Sequence, residues 1–115
     1  MSSLEDSLDK LVQELSHGKR CRVCGCMASE THHIIPRANK VLRYDPKNFM
    51  YLCHDCHQKF TDEKLKEENY SFKEDWNYFQ TMRWMNYKDF LLFEKGMTKE
   101  EYLKERRKVL RDLLR

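Results

Sequence analysis

Apolar positions recur at helical spacing at both ends of the chain, and a different texture lies between them. Leu4, Leu8, Leu11, Val12 and Leu15 predict an amphipathic helix over Ser3–Ser16. Ser3 stands at its start with Asp6 three residues on, and Gly18 ends it. Towards the C-terminus, Trp76, Phe79, Met82, Met85, Tyr87, Phe90, Leu91 and Phe93 predict one helix over Phe72–Lys95, closed by Gly96. Thr98 and Glu101 then have the spacing of a capping box. The helix that follows carries Tyr102, Leu103, Val109, Leu110, Leu113 and Leu114 as an apolar stripe. The spacing of the aromatic residues favours core packing over base stacking.

Residues 19–57 pattern differently. Thr31–Ile35 is short and rich in β-branched residues, and Pro36 stops it, which predicts a strand. Arg37–Asn48 reads as loop, with Asp45-Pro46 as a turn. Phe49–Leu52 predicts a second strand, leading into a helix that opens around Cys53–His57 and runs to about Glu67. The expected organisation is an N-terminal helix (1–18), a small α+β core (19–69) and a C-terminal helical extension (70–115), with a boundary near Asn69–Phe72. No internal repeat or low-complexity segment is present.

Composition narrows the class. A chain of 115 residues buries only a small core, so an internal staple would help. Met1–Asp9 is mostly polar and acidic, unlike a secretory signal, and no run approaches the ~20 apolar residues of a membrane span. The expectation is a cytoplasmic, reducing setting without membrane association, where paired cysteines bind metal more often than they form disulfides. The net charge is only +3, but its distribution points to a polyanion. Lys19, Arg20 and Arg22 crowd the first cysteine pair. Arg37, Lys40, Arg43 and Lys47 follow the histidine dyad, and Arg106, Arg107, Lys108, Arg111 and Arg115 load the last helix. Lys and Arg near a helix C-terminus also complement its dipole.

Two Cys-x-x-Cys pairs, Cys21/Cys24 and Cys53/Cys56, are separated by 28 residues. Each such turn offers two thiolates, and two turns complete the tetrahedral set of a structural zinc ion. Gly25 relieves the turn after the first pair. Cys26 reads as a bystander thiol that could compete with Cys24. His32 and His33 lie between the pairs, and His57 follows Cys56. On a strand His32 and His33 point to opposite faces, so they serve different tasks. His57 opens a helix, an end that favours phosphate. His54 sits inside the second turn as a solvated or supporting group, and His17 as a helix-end residue.

At these residues the chain resembles the HNH endonuclease family. The resemblance rests on His32-His33-Ile34-Ile35-Pro36, then Asn48, then Leu52-Cys53 and Cys56-His57. Fourteen residues lie between His33 and Asn48, and eight between Asn48 and His57. It covers about residues 19–67. It implies a ββα-metal (His-Me finger) core with a four-cysteine zinc site, of a small phage or bacterial type. It also implies a metal-dependent endonuclease acting on DNA. In that scheme His33 is the general base, His32 and His57 hold the catalytic divalent ion, and Asn48 orients the loop that positions His33. Many members carry aspartate where His32 stands. Two imidazoles suit Mn²⁺ or Ni²⁺ better than Mg²⁺, so activity is expected with Mg²⁺ and enhanced by the softer ions. Arg37 and Arg43 are candidates for holding the scissile phosphate. Two other readings compete: a zinc-dependent nucleic-acid-binding module without catalysis, and an adaptor or homodimer using the helices of 70–115.

Overall fold

The computed structural model describes residues 3–61 and 76–115. Helix α1 spans Ser3–Glu14, strand β1 Glu30–His33, a short 3-10 turn Pro46–Asn48, strand β2 Phe49–Leu52, and helix α2 His54–Thr61. Helix α3 follows over Trp76–Arg83. Helix α4, Tyr87–Asp89, passes directly into a π-helical stretch over Phe90–Lys95, and α5 spans Lys99–Leu113. The expected end of α2 near Glu67, the boundary at Asn69–Phe72, the start of the next helix at Phe72 and the side chains of Ser3 and Trp76 lie outside the described residues. Among the described residues no helix is long and apolar enough to cross a membrane.

The two strands pair antiparallel, with Glu30 opposite Leu52, Thr31 opposite Tyr51, His32 opposite Met50 and His33 opposite Phe49. β2 falls where the sequence places it. β1 begins one residue earlier than expected and ends before Ile34. The buried Asn48 side chain accounts for this. Its Oδ1 accepts from Ile35 N at 2.7 Å, and its Nδ2 donates to the carbonyls of Ile35 (2.9 Å) and Leu42 (3.2 Å). Ile34 N donates to the Asn48 carbonyl at 2.9 Å. These bonds turn the chain out of the ladder.

Pleating gives the sheet two environments. Thr31 and Phe49 face α1; the Thr31 hydroxyl donates to the Val12 carbonyl at 2.7 Å. On this side Leu8, Val12 and Leu15 of α1 join Val41, Leu42, Tyr44, Phe79, Phe90, Tyr102 and Leu110 in the main apolar cluster. Met50 and Leu52 face the other way and cluster with Cys21 and Cys56. Helix α1 also packs along α5, where Lys99 Nζ meets Glu5 at 3.0 Å.

Two expectations need correction. The single helix over Phe72–Lys95 is broken after Arg83. Asn86 has extended backbone and accepts from the amides of Lys88 (2.9 Å) and Asp89 (3.3 Å), starting a new helix. An asparagine oxygen satisfies amides that a helix start leaves unpaired, so it favours a cap over a helix interior. The break leaves Trp84 exposed, and Leu92 and Phe93 are exposed on the π-helical stretch, so the aromatic run is only partly core. The stripe on α5 is also shorter than expected. Tyr102, Leu103 and Leu110 are buried, whereas Leu113 and Leu114 are exposed. The Thr98–Glu101 capping box is present in both directions, and Gly96 ends the π-helical stretch at φ +61°.

The core assignment predicts unequal costs along α5. Leu110→Ala should cost about 2–5 kcal/mol in urea or thermal unfolding, as for a fully buried leucine. Leu113→Ala should stay within about 0.5 kcal/mol.

Candidate active site and metal centre

The two cysteine turns meet at one end of the sheet. The sulfurs of Cys21, Cys24, Cys53 and Cys56 lie within 4.8 Å of one another. Cys24 and Cys53 are 3.7 Å apart, close to the edge of about 3.8 Å that a tetrahedron with zinc–sulfur bonds of about 2.3 Å requires. Backbone bonds hold the first turn against the sheet: Arg22 N donates to the Tyr51 carbonyl at 2.9 Å, and Gly25 N to the Cys21 carbonyl at 3.0 Å. Gly25 takes φ +80°, the conformation that favours glycine there. All five cysteines are free, as the metal reading expects. Burial opposes ionisation of Cys21, but hydrogen bonds from the turn outweigh it and bring its pKa to about 6. The donor set and its spacing fit a structural zinc ion.

Cys26 stands beside this set and outside it. Its sulfur is 2.7 Å from that of Cys24. That contact pushes the Cys26 thiol up to about 11, so Cys26 is the protonated partner and Cys24 the acceptor.

The histidines separate as the strand period demands. His32 turns towards α2, where its Nδ1 lies 3.2 Å from His57 Nε2 with the rings edge to face. Burial, with smaller contributions from His57 and His33, lowers the His32 pKa to about 4, so the ring is neutral near pH 7. His33 turns to the opposite side. Its Nε2 donates to the Arg43 carbonyl at 2.9 Å, and its ring packs edge-on against Phe49. A carbonyl oxygen only accepts, so the neutral ring carries its proton on Nε2 and its lone pair on Nδ1. Burial lowers the His33 pKa, partly offset by the Arg43 carbonyl bond. Asn48 is fully buried, and its side-chain bonds to Ile35 and Leu42 fix the loop that supplies the Arg43 carbonyl.

Arg37 and Arg43 converge on one carboxylate. Their Nη2 atoms lie 3.3 and 2.8 Å from Asp9 Oδ2, and the Tyr44 hydroxyl donates to Asp9 Oδ1 at 3.1 Å. The Arg37 side chain is 59% exposed and that of Arg43 only 19%. Both guanidinium groups act electrostatically on His33.

One residue of this site escaped the sequence reading. Glu30 Oε1 accepts from His57 Nδ1 at 2.6 Å, and Oε2 accepts from His54 Nδ1 at 3.0 Å. The His54 bond, with help from His57, holds the Glu30 carboxyl below the usual range despite partial burial. The signal was available: Glu30 lies two residues before His32, and on a strand that spacing puts both on one face. His54 is 65% exposed and contacts Glu30 rather than the cysteine cluster.

The thiolate geometry makes a direct prediction. The purified chain should bind one zinc ion by elemental analysis, Cys26→Ser should keep it, and Cys53→Ser or Cys56→Ser should lose it together with the cooperative unfolding transition of the core.

The chain was compared with known proteins. Residues 21–63 match the family model described as HNH endonuclease. No curated protein matched, and neither did any solved structure. The matched stretch begins at the first zinc-site cysteine and contains both strands, the histidines and the start of α2. Residues 21–63 are thus similar to HNH endonucleases, and the mixed α/β architecture and four gathered cysteines of that stretch are consistent with a zinc-stapled ββα-metal fold.

Proposed function

We propose that the protein is a metal-dependent endonuclease that hydrolyses phosphodiester bonds of DNA. The observation that carries this reading is the His33 tautomer. Its Nε2 is committed to the Arg43 carbonyl, so Nδ1 carries the lone pair of a neutral, half-buried imidazole. That is the state a general base needs to take a proton from an attacking water near neutral pH. Asn48 serves this base indirectly, by holding the loop between Ile35 and Leu42.

His32 Nδ1 and His57 Nε2 supply the two nitrogens for a catalytic divalent ion. Their separation of 3.2 Å matches neighbouring ligands on bonds of about 2.1 Å meeting near a right angle. A divalent ion there would neutralise charge developing on the phosphate and its leaving oxygen. Two imidazoles favour Mn²⁺ or Ni²⁺ over Mg²⁺ as the better activator. Arg37, exposed and paired with the shared Asp9, is the arginine better placed to exchange that carboxylate for a phosphate. Arg43 is more enclosed, and its backbone carbonyl is the part that serves the base.

The helical extension supports a nucleic-acid partner. On α5, Arg106 turns inward over the Tyr102 ring and pairs with Glu105. Lys104, Arg107, Lys108, Arg111 and Arg115 instead line one shallow outer concavity, with Asp112 the only carboxylate among them. The helix dipole accounts for cations in the last turn, but not for Lys104, Arg107 and Lys108. From Lys104 to Arg111 the helix rises about 10 Å, a length that spans more than one phosphate of a strand.

Plasmid nicking tests the catalytic reading. Cleavage should require a divalent ion, stop in EDTA, and fall at least about 100-fold in His33→Ala with zinc content unchanged. Wild-type rates in that variant would remove His33 from the base role. DNA binding without cleavage under Mg²⁺, Mn²⁺ or Ni²⁺ would favour the zinc-dependent binding module instead. For the basic face, Arg107→Glu/Arg111→Glu should lower the slope of log K against log salt by about two in EDTA. An unchanged slope would show that α5 does not meet the backbone.

A further inference from the structure

We infer that Glu30 is a positioning residue for the ion site: its carboxylate sets the tautomer and rotation of His57, so that Nε2 is presented to the ion beside His32 Nδ1. This rests on the proposed ion site and adds to it a residue that neither ligates nor takes part in proton transfer.

The argument begins with the strand. Glu30 and His32 share the face of β1 that looks towards α2, and His57 stands in the first turns of that helix. A carboxylate oxygen can only accept, so the 2.6 Å contact places the His57 proton on Nδ1. A neutral imidazole protonated there has its lone pair on Nε2, the atom 3.2 Å from His32 Nδ1. The Glu30 contact disfavours the alternative tautomer, which puts a proton where the ion must bind. A carboxylate on the far nitrogen of a ligating histidine also raises the ring's donor strength.

The second oxygen adds rigidity. Glu30 Oε2 receives His54 Nδ1 at 3.0 Å, so one carboxylate reaches two positions of α2, three residues apart on the same side of the helix. The carboxylate is thereby fixed in its plane. His54 itself is exposed and remote from the ligand nitrogens by bonding, so its contribution is to Glu30 alone.

Isothermal titration of Ni²⁺ into the zinc-loaded full chain tests this, with zinc content measured before and after. Glu30→Ala should weaken Ni²⁺ binding about 10–100-fold. Glu30→Gln keeps an acceptor oxygen and should fall between Glu30→Ala and wild type, while His54→Ala should stay within about threefold of wild type. Long-range ¹⁵N–¹H NMR of the zinc-loaded chain before Ni²⁺ is added should show His57 protonated on Nδ1, and mixed or Nε2-protonated in Glu30→Ala. A purely structural role would not move that signal, and Glu30→Gln supplies the same readout if Glu30→Ala fails to fold. Wild-type affinity and an unchanged tautomer in both Glu30 variants would overturn the inference while leaving the ion site standing. Equal Ni²⁺ binding by wild type and His57→Ala would remove the ion site, and the inference with it.

Discussion

The four-cysteine cluster is the constraint from which the site follows. Two strands of four residues each are too short to be stable alone. Here the turns at both ends of the segment are drawn to one point, with all four sulfurs within 4.8 Å. That closure fixes where β2 ends and where α2 begins, because Cys53 follows the strand and Cys56 lies in the helix. His57 is the next residue, so its direction is set by the same closure. Met50 and Leu52 pack against Cys21 and Cys56, which makes the cluster both tether and core on that face of the sheet. A zinc ion held there would make the presentation of His57 depend on that metal.

The strand period then divides the labour. His32 and Glu30 look towards α2 and meet His57; His33 and Thr31 look towards α1. Adjacent histidines thus occupy different environments. One is lowered to about 4 by burial beside another imidazole. The other is fixed by a backbone carbonyl. Moving the pairing register by one residue would exchange the two faces and put each imidazole in the other's place. Thr31, bonded to the Val12 carbonyl at 2.7 Å, and Asn48, clamping both sides of the loop, hold the register against that slip.

Much of this was legible in the sequence, for physical reasons that differ by residue. The strand Phe49–Leu52 was readable because a short apolar run ends in a cysteine turn. The cysteine set was readable because two Cys-x-x-Cys turns offer the four donors of a tetrahedral site, and the capping box because both of its partners are local. The break at Asn86 was not read, since the apolar spacing continues through it and only a cap residue marks the start of the new helix. Glu30 went unread because a carboxylate at a strand start normally passes for a solvated charge. Its value depends on α2 arriving opposite, which is a tertiary fact. Arg106 was counted with the other cations of α5 until packing turned it inward over Tyr102.

The N-terminal helix deserves a different description from the appendage that its sequence suggests. Its Asp9 gathers Arg37, Arg43 and Tyr44, three side chains of the loop between the strands. Arg43 is also the residue whose carbonyl receives His33. The geometry of that imidazole therefore rests on α1 through a salt bridge and on the 3-10 turn before β2 through Asn48, from two directions. Among the described residues Arg43 Nε is buried without a hydrogen-bond partner, and the guanidinium finds its compensating charge in Asp9. Removing one partner of an enclosed ion pair costs more than the pair itself contributes. The loss of Asp9 would consequently be felt at His33 through Arg43, a longer path than its place in the sequence implies.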